Sequence, residues 1–497
     1  MRGGVRLSAP LGRITPRQGR LTGLGSLMAG GILNKILGAF RLLIFAPLLG
    51  PAGFGALRLA ATVSTILSAL AGLGFYTSYV RYLPEASTEG ERSFFMRRSL
   101  LLSLVPAALI TMALLTLPTI GSRLIFSQSG YNSLVLLVAI SLPITVIYKS
   151  FIGAANGLGR FRVSALAEGV QNLAYMAGGV ALMLLAGRIP EYAFTAFLAG
   201  MFAATLLLWP VMPLKRSAPA DRIAASRLLR RALSYSLWFA LIPMFQYLFD
   251  FIDRWMLARF RNLETSGTYS IVPILAGGMF VIGAAFTPVV ARKGSELTAA
   301  GAHPGAERLV WSSVLLCIFG SLVYALGLRT MEPLLWRMFR PEWASAAIVI
   351  PPFLLYFTLY NVYTIVGCVA AFAEKPWVHM TALILGASTN TILNYAWIPR
   401  WGMKGAAAGT LLGLIVSLMV HIGFIKWRGI RIPRRIGTAL ALSLIVFLPR
   451  ILFLPAAVLV LWVLWRTSLV LCDSDRRLAR VTITRALRRT GLKGAAS

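Results

Sequence analysis

Asn34, Gly38 and Arg41 stand at i, i+4 and i+7, a spacing that places them on one face of a helix, with Lys35 beside them. Gln246, Asp250 and Asp253 repeat this spacing with Arg254 adjoining, and an offset of 212 residues superposes the two stripes. Ammonium and guanidinium groups at such positions offer positive charge to an anion, and guanidinium suits phosphate because it forms paired, charge-assisted hydrogen bonds and stays ionised. The same residues also allow plainer roles. Asp250 and Arg254 are spaced i, i+4 to neutralise each other, and Arg41 is long enough to snorkel outward. A second polar set, Glu168, Gln171, Asn172 and Tyr175, follows i, i+3, i+4 and i+7, and Asn390 and Asn394 follow i, i+4. Glu168 is suited to hold a proton or a coupling cation. The amides suit either a polar cavity wall or hydrogen-bonded packing between helices.

The elements that must carry these residues are apolar. Of 497 residues, 58% are hydrophobic and 13% are charged, whereas soluble domains carry about 25% charged residues. Apolar runs long enough to cross ~30 Å of hydrocarbon recur along the chain. Spans are expected near 26–49, 59–80, 99–119, 131–153, 163–186, 192–213, 232–256, 268–290, 309–328, 345–371, 377–398, 405–425, 436–449 and 453–471. The expected fold class is therefore an all-α integral membrane protein of about fourteen transmembrane helices. The run from 26 is too long for the core of a cleaved signal peptide and is expected to stay as the first span.

Charge distribution sets an expected orientation. Lys and Arg number 49 against 16 Asp and Glu. In a soluble chain this balance would suggest nucleic acid, but here the basic residues lie in the connections between apolar runs. With the N-terminus cytoplasmic, the connections on that side, Lys149 among them, carry a roughly threefold excess of basic residues over the opposite side, as the positive-inside rule requires. Arg58 is assigned to the opposite side. Both termini are expected in the cytoplasm.

The halves resemble each other. Gly53 aligns with Gly267 at an offset of 214, and Arg160 with Lys375, Val163 with Val378 and Gly187 with Gly402 at 215. A repeat of six spans is even, so both copies enter the membrane from the same side and are parallel. The expected organisation is a basic N-tail 1–25, an N-lobe 26–213, a basic linker 214–231, a C-lobe 232–425, a terminal pair of helices 426–471 and a basic C-tail 472–497. Two such lobes around a central cavity form a carrier's architecture. Gly405, Gly409 and Gly413 make a small-residue packing ridge, and Pro106, Pro143, Pro243, Pro273 and Pro288 should kink or break their spans. His379 and His421 read as structural histidines near helix ends. Cys317, Cys368 and Cys472 have neither disulfide nor zinc spacing. With no phosphate-binding loop, nucleophile elbow or Cys/His cluster, neither an enzyme nor a cofactor or metal is expected.

Leu48 to Gly55 (Leu-Leu-Gly-Pro-Ala-Gly-Phe-Gly), then Gly72-Leu73-Gly74, then Val80-Arg81-Tyr82-Leu83-Pro84-Glu85 resemble the first two spans of polysaccharide-biosynthesis flippases of the Wzx type, in the multidrug/oligosaccharidyl-lipid/polysaccharide exporter superfamily. Ile252-Asp253-Arg254 is similar to that family's span-seven ending. Asn394 and Ile398 through Ala407 are similar to its pattern between spans eleven and twelve. The resemblance implies two lobes, alternating access and a cationic cavity for a polyprenyl-pyrophosphate-linked glycan, with Lys35 and Arg41 facing substrate. It also implies a bacterial-type plasma (inner) membrane location, contact with membrane lipids and work beside glycosyltransferase and polymerase machinery. Lipid II flippases share the span count but carry an Arg-Asp pair in span one, where this chain has Arg41-Leu42. Multidrug extruders of the superfamily have twelve spans and cationic substrates, which a positive cavity repels. A membrane scaffold for glycan-synthesis enzymes is the remaining, non-transport reading.

Overall fold

A computed structural model describes residues 18–214, 222–339 and 341–466. Residues 1–17 of the N-tail, 215–221 of the linker and the whole C-tail 472–497 lie outside this range. The apolar windows read from the sequence fall mostly on helical backbone, with 59–80 interrupted at 72–74 and the last running beyond the described residues. Eight helical segments are long and apolar enough to cross a membrane, so the chain is a multi-pass, all-helical membrane protein. Helices over the windows 163–186, 232–256 and 377–398 are not among the eight. These are the ones that carry Glu168, the Asp253–Arg254 pair and the Asn390–Asn394 pair.

The first helix, α1 (Gln18–Ala71), joins two expected spans in one rod that bends at Gly50, where φ is 68° and ψ is 171°. That conformation lies in the region only glycine enters freely, and the following Pro51 starts the new segment with its φ already helical. The window 59–80 is broken at Leu73 and Gly74 before α2 (Phe75–Tyr82). Next come α3 (Glu89–Thr116), α4 (Pro118–Phe126), α5 (Asn132–Gly157), α6 (Phe161–Leu185) and α7 (Pro190–Leu208). Thr88 and Glu91 close a capping box at the start of α3, each side chain accepting from the other's backbone N–H, at 3.1 and 3.4 Å.

In the second half, α8 (Arg222–Phe260) already begins inside the expected linker. It is followed by α9 (Leu263–Ala276), α10 (Phe280–Ala299) and α11 (His303–Met338). A 3₁₀ segment (Pro341–Val349) then leads into α12 (Ile350–Phe372), α13 (Pro376–Trp401), α14 (Met403–Trp427), α15 (Arg434–Ser443) and α16 (Arg450–Arg466). Helix packing recurs between the halves. The contacts of α1 with α6, α3 with α5 and α6 with α7 have counterparts in α8 with α13, α11 with α12 and α13 with α14. The last helices dock on α11 through Arg329, which pairs with Glu332 at 3.0 Å, donates to the Leu448 carbonyl at 3.2 Å and lies over the Phe453 ring.

The halves touch at both ends of the bundle. At one end the second segment of α1 crosses α9 backbone to backbone. A Cβ on Gly267 would collide with the Pro51 carbonyl, and one on Gly55 would meet the Leu263 carbonyl and, at 2.9 Å, the Gly267 amide nitrogen. Gly55 and Gly267 are related by the same 212-residue offset as the polar stripes. Nearby, the Trp255 indole donates to the Leu124 carbonyl at 2.7 Å, and Phe54 meets Trp343 edge-on. At the other end Ser78 bonds Ser236 (2.8 Å) and the Ala232 carbonyl (3.0 Å), Tyr82 packs on Tyr235, and Glu85 pairs with Arg231 at 3.6 Å.

Because the glycine crossing has no room for a methyl group, Gly267→Ala should destabilise the protein by about 1–3 kcal/mol through overpacking. Gly423→Ala, which meets open space within 4 Å, should change stability by less than about 0.5 kcal/mol. Thermal unfolding of the detergent-solubilised variants checks the pair, and equal melting temperatures would contradict the crossing.

Candidate functional site

The polar residues singled out from the sequence gather into two clusters. In the first, α1 and α6 meet stripe to stripe. Asn34 donates to Glu168 at 3.2 Å, and Arg41 donates to the Asn172 side-chain oxygen at 2.7 Å while its guanidinium lies 4.0 Å from the centre of the Tyr175 ring. Asn172 donates in turn to the Glu168 carbonyl. A Cβ on Gly38 would stand 3.9 Å from the guanidinium, in ordinary van der Waals contact. The seven-residue step between Asn34 and Arg41 thus matches the Glu168–Asn172–Tyr175 spacing, two turns of one helix against two turns of the other. Arg41 Nε is buried without a hydrogen-bond partner. Gln171 is buried on the same helix, whose backbone at that point packs on Gly200.

The second cluster joins α8, α9, α13 and α14. Asp253 is 4% exposed and accepts three hydrogen bonds: from the Tyr269 hydroxyl at 2.5 Å, from the Thr410 hydroxyl at 3.3 Å and from the Arg254 backbone N–H at 2.8 Å. Thr410 also reaches the Asn390 oxygen (3.4 Å), Asn394 donates to that same oxygen (2.8 Å), and Asn390 donates to the Phe249 carbonyl. Gly409 lies against Asn394, so the small-residue ridge on α14 is what lets the asparagines approach. Arg254 is buried with its Nε unpartnered. A carboxylate buried at this depth is tolerable because every donor around it is aimed at it.

This second cluster borders a cavity of about 950 Å³. Gln246, Asp253 and Arg254 line it from α8, Arg58 and Leu42 from α1, Thr410 from α14, and a row of aromatic side chains from α12. Gln246 donates to the Tyr360 hydroxyl at 3.1 Å. Three of the expected cavity residues are therefore at its wall, whereas Asn34 and Arg41 are not among the lining residues and are engaged with α6 instead. Lys35 and Asp250 lie outside the described side chains. Sequence reading missed Arg58, assigned to a connection but carried by the helical second segment of α1 at the cavity. It also missed Lys149, which sits within α5 and reaches the Ser68 hydroxyl at 3.4 Å. It missed the aromatic row as well, although the i, i+3, i+4, i+7 recurrence of Phe353, Tyr356, Phe357 and Tyr360 is visible in the sequence. His379 and His421 pack against Tyr363, with ring centroids 5.6 and 4.9 Å away. Among the described residues no cluster of metal-ligating side chains occurs.

Residues 21–293, more than half of the chain, match the model of the family described as polysaccharide biosynthesis protein. The chain belongs to this family. A curated relative, the probable low-salt glycan biosynthesis flippase Agl15 of Haloferax volcanii, is 21% identical over 411 residues, which cover 80% of this chain and 82% of that protein. Among solved structures the chain is similar to the lipid II flippase MurJ in an inward closed conformation (TM-score 0.69, 14% identity, 88% of this chain and 98% of that one). It is also similar to an inward-facing multidrug resistance MATE family transporter of the MOP superfamily (TM-score 0.62, 16% identity, 84% and 98%). At these identities the likeness shows the fold that this family member shares with them.

Tyr269 and Thr410 donate to one and the same oxygen of Asp253, so their contributions should be coupled. Tyr269→Phe and Thr410→Val should each cost about 1–2 kcal/mol, as for hydrogen bonds to a charged acceptor. The double variant should exceed the sum by about 0.5 kcal/mol or more because the carboxylate then loses both side-chain donors. Additive losses in denaturant unfolding would show that the network is not shared.

Proposed function

We propose that this polysaccharide-biosynthesis family member is a flippase that moves a lipid-linked oligosaccharide from the cytoplasmic to the outer leaflet by alternating access. The observation that carries the reading is the cavity itself: about 950 Å³ within apolar helices, with two guanidinium groups, Arg58 and Arg254, on its wall. A lipid tail alone needs no cationic wall, whereas an anionic headgroup carried on a lipid needs that wall within an apolar surround. Arg58 and Arg254 meet the phosphates, and Asp253, held by Tyr269 and Thr410, keeps Arg254 in place through its charge and the backbone between them. Arg41 and Lys35 form the corresponding cationic position of the first half, with Asn34, Glu168, Gln171 and Asn172 around it. The protein makes and breaks no covalent bond, so it is a transporter and not an enzyme.

Fourteen crossings in this reading divide into two parallel six-helix lobes, 26–213 and 232–425, plus the terminal pair. The threefold excess of basic residues supports a cytoplasmic position for both termini. The recurring helix pairs support such a two-fold arrangement, and the crossing of Gly55 with Gly267 joins the lobes at one end. The two lobes are in contact at both ends of the bundle. Opening toward the cytoplasm must break the Ser78–Ser236 and Glu85–Arg231 set, and opening outward must part α1 from α9. Polyprenyl-linked glycan made by glycosyltransferases on the inner face is the substrate, and a polymerase on the outer face is a natural recipient.

Arg254→Gln, which keeps a hydrogen-bonding side chain but is shorter and uncharged, should lower flipping of a fluorescent polyprenyl-diphosphate oligosaccharide in proteoliposomes by at least about tenfold, the equivalent of 1.4 kcal/mol. Lys35→Ala with Arg41→Ala should have an effect of similar size. Unchanged flipping in all three at equal protein level would remove the phosphate assignment, and efflux of cationic drugs without lipid flipping would replace the reading by a multidrug exporter.

A further inference from the structure

The aromatic row on α12 has a use that a purely structural role leaves unexplained. Phe353, Tyr356, Phe357, Tyr360 and Tyr363 share one face of the helix and all line the cavity. At 1.5 Å per residue they extend over about 15 Å, the length of a short oligosaccharide. Rings one turn apart tilt little, while Tyr356 stands edge-on to both Phe353 (74°) and Phe357 (85°). Phe353 and Phe357 are inclined by 31°, Tyr356 and Tyr360 by 29°, and Tyr360 and Tyr363 by 38°, with centroids 5.9–6.4 Å apart. Phe357 and Tyr360 are only half-buried, so they present surface to the cavity.

Helix packing does not require this composition. The equivalent helix of the first half, α5, carries Val138, Ser141, Leu142, Thr145 and Tyr148 at the positions that the 215-residue offset places opposite the five aromatics. Four of those five are aliphatic or small, yet α5 packs on α3 as α12 packs on α11. Nor does a polyprenyl chain require it. Three of the five rings bear hydroxyls, which cost free energy at bilayer depth unless each finds a partner. A slot for an isoprenoid would be satisfied by leucine and phenylalanine. A pyranose has one face of C–H bonds and a rim of hydroxyls. A ring stacks on the former through weak C–H···π contact, and a phenol or amide bonds the latter. Gln246, which donates to the Tyr360 hydroxyl, adds an amide to the same wall.

We infer that the α12 aromatic row is a saccharide track, with Phe357 and Tyr360 stacking on sugar rings while Arg58 and Arg254 hold the diphosphate. The inference rests on the flippase reading, and its test separates the two. The full-length protein in lipid nanodiscs is titrated with farnesyl diphosphate and with the same lipid carrying a chitobiose disaccharide. The parent should bind the glycosylated probe about tenfold more tightly or better, since two ring contacts of about 0.5–1.5 kcal/mol each supply that factor. The double variant Phe357→Leu, Tyr360→Leu should lose this advantage and bind the bare diphosphate as the parent does. Tyr360→Phe should keep most of it, which distinguishes stacking from hydroxyl bonding. Both variants are first checked for parent-like elution and melting temperature. An advantage that survives the leucine pair, or a parent that binds both probes equally, overturns the saccharide track while leaving the phosphate site standing. Failure of either probe to bind the parent overturns both.

Discussion

Hydrocarbon offers no hydrogen bonds, and this one constraint organises the whole bundle. Any polar side chain held at bilayer depth must be answered by another part of the protein. Asp253 shows the consequence most fully: Tyr269 from α9, Thr410 from α14 and the Arg254 amide converge on it, and Asn390 and Asn394 extend the network into α13. Four helices are thereby fixed around a carboxylate that a packing role alone would have replaced with leucine. The pairing of α1 with α6 follows the same logic at smaller cost, one amide and one aromatic face answering the Arg41 guanidinium.

What the sequence makes legible follows from that constraint. The heptad spacing of Asn34 with Arg41, and of Glu168 with Tyr175, is local information, so the stripes and their faces are readable from the chain. Which stripe meets which is not local. Nothing in either segment says that Arg41 turns to Asn172 and not into a cavity, because the partner is set by how α1 and α6 cross. Arg58 shows the converse error. A cation eight residues past Gly50 reads as part of a connection, but Gly50 supplies only a bend, and the helix resumes at Pro51 with Arg58 inside it. The aromatic row on α12 was missed for a different reason: its spacing is written in the sequence, but Phe and Tyr also add to the apolar run that defines the span, so a window average hides their common face.

The same physics separates what must stay fixed from what must move. The Asp253 network lies within the second half and can travel with it as a unit. The contacts between halves are of another kind. At one end they are glycine backbones in bare contact, and at the other a serine pair, a tyrosine pair and a surface ion pair. Such interactions are individually small, worth roughly a kcal/mol or less each, so they can be exchanged between conformations without unfolding either half.

In the proposed reading, opening toward the cytoplasm breaks the Ser78–Ser236 contact. The most direct measurement is flipping by Ser78→Cys, Ser236→Cys protein reconstituted in vesicles, before and after oxidation, with cross-link formation followed on the same sample. The account predicts flipping that stops as the disulfide forms and returns on reduction. Flipping that continues at the parent rate with the disulfide fully formed would contradict it.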